Sequence, residues 1–302
     1  MKNKFIEVLL FVIFLSLLFC PDIVHRELID ALTIFFKTLF PSIFPFFLIG
    51  NLLISYNFVH TINHLLKKIT TKVFHISSNA SFIIIMSMIS GFPSGAKYIK
   101  DLLDKKVINL DQANYLITFT HFANPLFVLT TTSLLFQEKK ISYFILLSMY
   151  LSNIIIGIVT RPKTIEKEKT TVYQEPPSFG DALTKSLTNT IDILVMILGN
   201  TCFFFLVSRL LTTFLPLNPF FTCLINGFFD LTKGITSLTL LNTSLCFKGM
   251  LVLSFISFGG MNIHMQVLNM LQGTKVKYQN FLLGRIAQAS ISALIFFLLY
   301  NL

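Results

Sequence analysis

Two apolar stretches, about 77–106 and 216–246, can enter a bilayer but are too short to cross it twice. Each is roughly 30 residues, whereas two full crossings need about 40. Each has glycine or proline near its middle, so each is expected to be a re-entrant hairpin of half-helix, sharp break and half-helix. Irregular backbone at membrane depth is tolerated only where it is buried in protein or lines a cavity. The first break falls at Gly91-Phe92-Pro93-Ser94-Gly95-Ala96-Lys97 and the second at Gly227-Phe228-Phe229-Asp230-Leu231-Thr232-Lys233, so a glycine and a lysine recur at a constant spacing of 136 residues. Paired broken hairpins are the mark of a transporter built from two repeats around a central site.

The rest of the chain fits a membrane setting. Of 302 residues, 54% are hydrophobic and only 13% are charged, against about 25% charged in soluble domains. The net charge of +10 reflects the lysine- and arginine-rich cytoplasmic loops of membrane proteins, and no nucleic-acid partner is expected. Spans are expected at about 5–24, 31–56, 111–136, 141–160, 186–211, 247–271 and 281–300, about seven crossings in all. With the N-terminus inside and both hairpins re-entrant, most basic residues fall on the inner side, including Lys67, Lys68, Lys72, Lys105, Lys106, Arg161, Lys275, Lys277 and Arg285, which supports the hairpins. Lys2 and Lys4 before the run Phe5 to Cys20 resemble a signal peptide, but no small-x-small cleavage site follows, so this is an uncleaved first span.

The resulting division is an N-terminal helix (1–28), a first repeat (29–160), a charged cytoplasmic linker (161–180) and a second repeat (181–302). Asp30-Ala31-Leu32-Thr33 and Asp181-Ala182-Leu183-Thr184 open the halves, and Gly50-Asn51 and Gly199-Asn200 follow at similar depth. Three crossings per half invert the second repeat relative to the first. The fold class is all-α. His60, His64 and His75 are assigned to a polar, solvated loop.

Several polar residues stand where a ligand could meet them. Pro93 and the glycines stop the incoming half-helix, and Ser94 is the expected N-cap of the outgoing one. A half-helix N-terminus beside Gly95 would favour an anion. Lys97 either contacts that anion or pairs with Asp101 one turn on. At the second tip, Asp230 either pairs with Lys233 as a neutral element or binds a coupling cation while Lys233 and Thr232 face the substrate. The following spans are also interrupted, at His121-Phe122-Ala123-Asn124-Pro125 and at Ser257-Phe258-Gly259-Gly260. These breaks are either packing kinks or ligand-facing backbone with Asn124, His121 or Ser257 beside it. His264 and Gln266 lie in an apolar span, where His264 relays protons or bonds between helices; Asp192 is another coupling candidate. The four cysteines have no C-x-x-C spacing. No metal, cofactor or hydrolase motif is present, and no enzyme activity is expected.

Ser90 to Lys97, Phe119 to Phe127, Ser257 to Gly260 and His264 to Leu268 together resemble the YlbJ (SpoVV) family of sporulation integral membrane proteins. The resemblance extends to nucleoside-recognition or gate-type membrane domains and to concentrative nucleoside transporters. It implies a carrier, and for this family the movement of dipicolinic acid from the mother cell across the outer forespore membrane. Two tip lysines would then clamp the two carboxylates while Phe92, Phe122 or Phe258 stacks on the ring. His121-Phe122-Ala123-Asn124-Pro125 and Asp230-Leu231-Thr232-Lys233 depart from the family pattern. A nucleoside or other small-anion carrier and a non-transporting sporulation scaffold stay open. The expected partners are a small anion and the lipid bilayer, with a homo-oligomer allowed.

Overall fold

The computed structural model describes residues 2–163 and 175–302. Every regular element among the described residues is helical. In the first half these are α1 (Lys2–Phe19), α2 (Pro21–Ile34), α3 (Phe40–Ser55), α4 (Phe58–Val73), α5 (Ser81–Ser90), α6 (Ser94–Asp104), α7 (Leu110–Phe119), α8 (Pro125–Phe136) and α9 (Lys139–Val159). The second half contains α10 (Phe179–Phe214), α11 (Pro219–Phe229), α12 (Leu231–Ser237), α13 (Leu245–Phe258), α14 (Gly260–Met270) and α15 (Tyr278–Tyr300). A long helix, a helix–break–helix pair, a broken span and a final long helix therefore follow one another twice, with α4 as an extra element in the first round.

Among the described residues, five helices are long and apolar enough to cross a bilayer: Pro21–Ser55, Lys139–Val159, Phe179–Phe214, Leu245–Met270 and Tyr278–Tyr300. The pair Phe58–Val73 and Ser78–Ser90, bent by 109°, would make a sixth. Length and composition thus mark five or six candidate spans where seven crossings were expected. The expected span at 5–24 ends at Phe19, and a new helix starts at Pro21 and runs through a π-helical turn (Phe35–Leu39) into α3. A domain boundary at residue 28 would cut that helix. The expected span at 111–136 is two helices, α7 and α8, parted at 120–124.

Two further expectations change. The segment holding His60 and His64 is helix α4, whose buried residues include Val59, Ile62, Asn63 and Thr70. Those positions recur at three- and four-residue intervals, an amphipathic pattern. Asn63 donates to Asn79 Oδ1 at 3.0 Å, and Thr70 and Ser81 share a hydroxyl contact at 2.5 Å, which pins α4 beside α5. The linker expected at 161–180 lies mostly outside the described residues, but its end belongs to α10, which Ser178 caps by accepting from the Asp181 N–H at 3.2 Å.

The halves pack through a few long helices. α15 lies against α13, α9 and α7, while α10 lies against α2, α3, α11 and α14. Asn51 on α3 donates to Thr190 Oγ1 on α10 at 3.1 Å. Arg285, expected among the inner loop charges, is instead 1% exposed within α15.

Candidate functional site

The first pair of short helices breaks between Ser90 and Ser94. Gly91 there has φ +78°, and a Cβ on it would lie 2.4 Å from the Asn124 nitrogen. Only glycine meets both demands, a left-handed backbone and a near-touching neighbour. Ser94 is not the N-cap. It is the first helical residue, the cap position is Pro93, and the Ser94 hydroxyl donates to the Gly91 carbonyl.

Asn124 holds this tip. Its Oδ1 accepts from the Leu126 N–H (2.9 Å) and the Phe127 N–H (3.2 Å), capping α8. Its Nδ2 donates to the carbonyls of Ser42 (3.2 Å), Ile89 (3.1 Å) and Ser90 (3.4 Å). One side chain therefore joins α3, the end of α5 and the start of α8. Asn-Pro was legible as a break; its use as a joint was not.

The second pair breaks at Asp230. Gly227, aligned with Gly91, lies inside α11, where a Cβ would meet the Phe255 ring at 2.3 Å. Under the 136-residue spacing Asp230 stands where the first tip has Ser94. Its Oδ1 accepts from the Thr232 N–H (2.7 Å), the Lys233 N–H (3.1 Å) and the Thr232 hydroxyl, capping α12. Its Oδ2 accepts from Asn262 Nδ2 at 2.6 Å. Asn262 also donates to Thr201 Oγ1 (3.1 Å), and Gln266 Nε2 donates to Asn262 Oδ1 (2.8 Å).

The two lysines do not converge on one another. Lys97 pairs with Asp101 on its own helix at 2.5 Å. Lys233 reaches Glu27 on α2 at 2.6 Å and the Phe205 carbonyl at 2.9 Å. The same Glu27 receives Arg209 at 3.4 Å. Asp230 is thus not the partner of the Lys233 side chain. Glu27 went unnoticed because it lies in α2, far from Lys233 in the chain.

Of the concavities that adjoin this second tip, two include charged side chains. A cavity of about 30 Å³ is lined by Ser42, Phe92, Asn124, Asp230, Thr232, Asn262 and Gln266 among others, so parts of both tips and both broken spans share it. A wider cleft of about 830 Å³ is lined by Glu27, Asp30, Arg209, Asn226 and Lys233. Of the expected site residues, Asn124, Asp230 and Thr232 meet at the small cavity and Lys233 lines the cleft. Ser94, Gly95, Lys97, Ser257, Gly259, Gly260 and His264 line neither. Gly95 packs on α7, where a Cβ would lie 2.2 Å from the Thr120 carbonyl, and Ser257 shares a hydroxyl contact with Ser292 at 2.9 Å. Gly259 and Gly260, with φ +88° and +66°, form the bend between α13 and α14. His264 lies between the Phe258 carbonyl (3.0 Å) and the Tyr278 hydroxyl (2.7 Å). The carbonyl can only accept, so Nε2 carries the proton and Nδ1 accepts from Tyr278. Asp192 is exposed on α10.

Arg285 joins the two broken spans. It donates to the carbonyls of Thr118 (3.1 Å), in the last turn of α7, and His121 (2.8 Å), just beyond that helix, and to that of Ser257 (3.4 Å) near the end of α13. Carbonyls at a helix end lack intrahelical donors, and a cation there also meets the negative end of the dipole. An arginine inside an apolar span was the available signal.

The sporulation integral membrane protein YlbJ of Bacillus subtilis (strain 168) is 24% identical to this chain over 310 residues, covering 90% of the chain and 76% of the relative. The match supports assignment to the YlbJ family. Neither a family model nor a solved structure matches the chain. Its apolar helices and the relative's name together make it an integral membrane protein.

Proposed function

We propose that this YlbJ-family protein is a membrane carrier for a small organic anion, most concretely dipicolinate moved from the mother cell across the outer forespore membrane. The carrying observation is geometric. Two short helix–break–helix pairs, read as re-entrant hairpins, bring their tips against two broken spans, and Phe92 of the first tip, Asp230 and Thr232 of the second, and Asn124, Asn262 and Gln266 of the broken spans line one cavity. Broken helices that line a cavity are a costly arrangement in a membrane and belong to binding sites.

The structure reshapes the anion-binding half of this reading. A clamp of Lys97 and Lys233 across one ligand does not match their positions. The wider cleft is the better seat, because Lys233 and Arg209 share the single carboxylate of Glu27 there. A carboxylate of the substrate exchanges with Glu27 at one of these cations. A volume of about 830 Å³ lies in the ordinary range for small-molecule sites. The dicarboxylate identity rests on the family resemblance.

Uptake of labelled dipicolinate into proteoliposomes holding the purified protein tests the proposal. Saturable uptake is expected, with KM raised about tenfold by Lys233→Gln, the loss of one charge-assisted contact, and little changed by Lys97→Gln. Absence of uptake under any imposed ion gradient, in protein shown to be folded, would move the reading to a membrane scaffold; competition by nucleosides would move it to a nucleoside carrier.

A further inference from the structure

We propose that the small cavity between the hairpin tips is a binding site for a dehydrated monovalent cation of sodium size, with Asp230 and Gln266 as its main oxygen ligands. Asp230 is 2% exposed and has no ion-pair partner among the described residues, because the Lys233 ammonium is turned to Glu27. Its Oδ1 is spent on the α12 cap, while Oδ2 receives a single hydrogen bond, from Asn262. A buried carboxylate in that condition calls for a positive charge.

Gln266 supplies an independent observation. It is 1% exposed and lines the same cavity, yet its Oε1 has no hydrogen-bond partner. The amide cannot simply be turned over. Asp230 Oδ2, a carboxylate oxygen, requires the Nδ2 of Asn262 to face it, which presents Asn262 Oδ1 to Gln266. Gln266 must then give its Nε2 to Asn262 and leave Oε1 free. The carboxylate thus sets the polarity of a chain of amides, and the chain ends in a bare acceptor beside the cavity. A bare amide oxygen beside a buried carboxylate oxygen that holds a single hydrogen bond is the pattern of a cation site.

Size and chemistry narrow the ion. About 30 Å³ is room for about one or two water molecules, enough for a sodium ion that has shed most of its hydration shell. The polar groups available are carboxylate, amide and hydroxyl, with no cluster of three or more His, Cys, Asp or Glu among the described residues. Such oxygen ligands suit hard cations. With one carboxylate, a monovalent ion leaves the site neutral and a divalent ion does not.

The position implies a task. An ion held by Asp230 at the second tip and Gln266 on α14 ties that hairpin to its broken span, and Phe92 and Asn124 of the first half close the same cavity. Cation binding would therefore hold the two tips together and link ion occupancy to solute movement. That coupling rests on the carrier reading; the binding does not.

The test is thermal unfolding of the purified full-length protein in sodium, potassium or choline chloride at equal ionic strength, with a calorimetric sodium titration of the same protein. Sodium is expected to raise the melting temperature over choline by roughly 3 °C at saturating concentration, with saturable heat. Gln266→Met and Asp230→Asn are each expected to abolish the difference; should Asp230→Asn fail to fold, Gln266→Met and the wild-type titration decide. Equal melting in sodium and choline, a sodium effect surviving in Gln266→Met, or stabilisation by acid alone would overturn the site. A protein that shows the sodium effect but no dipicolinate uptake keeps the cation site and loses the substrate assignment.

Discussion

The two hairpin tips do the same topological job with opposite chemistry. The first is fastened mainly by one uncharged side chain, Asn124 to backbone groups of three helices, with a close approach at Gly91 and a lysine paired one turn along its own helix. The second is fastened by charged groups that draw on distant parts of the chain: Asp230 to Asn262, and Lys233 to Glu27. Hydrogen bonds to backbone carbonyls set a position but leave no charge to exchange with a ligand. Carboxylates and ammonium groups beside cavities can exchange partners. On the carrier reading proposed above, the first tip would act as a mechanical stop and the second would be where ion and solute chemistry concentrates.

Arg285 is common to both sides of this contrast, so its removal should have the largest effect. Arg285→Met is expected to destabilise the protein by about 4 kcal/mol, since it strands buried carbonyls at both broken spans. Chemical or thermal unfolding in detergent measures it, and a loss below about 1 kcal/mol would show that Arg285 does not join the halves. Next come the glycines. Gly91→Ala should cost about 3 kcal/mol, because it meets a left-handed backbone and a backbone nitrogen that cannot yield. Gly227→Ala should cost less, about 1.5 kcal/mol, because it meets only the Phe255 side chain. Reversal of that order would make the second hairpin the rigid one. A third pair of substitutions separates the two lysines. Glu27→Gln is expected to cost about 2 kcal/mol by leaving Lys233 and Arg209 without their shared carboxylate. Asp101→Asn should cost about 0.5 kcal/mol, the scale of a partly exposed i,i+4 pair. Equal losses would erase the distinction between local and long-range pairing.

Much of the helical layout was legible because apolar run length and helix breakers act locally. The break at Asn124-Pro125, the glycine bend at Gly259-Gly260 and the interruption of both short hairpins follow from residues that lack a donor or loosen the backbone. Helix α4 was missed because His60, His64 and several lysines drew attention from Val59 and Ile62, which recur at helical spacing on the buried face. The second break was expected within Gly227 to Lys233, and it falls there, at Asp230, but the residue that makes it was not legible because Gly227 looked like the counterpart of Gly91. Only packing shows that Gly227 makes room for the Phe255 ring, while Asp230, as an N-cap, ends one helix and starts the next.

By itself the sequence determined an all-helical chain of long apolar spans, two short broken pairs between them, and the residues that interrupt each. Those outcomes depend on hydrophobic length and on backbone preferences that a residue expresses among its near neighbours. The tertiary structure alone decided which charges meet across the chain. Lys97 finds Asp101 in its own helix, but Lys233 finds Glu27 206 residues away, and Asp230 orders Asn262 and Gln266 on a separate helix. Side-chain pairing in a low-dielectric interior depends on which helix faces are pressed together, and that is a property of the packed bundle.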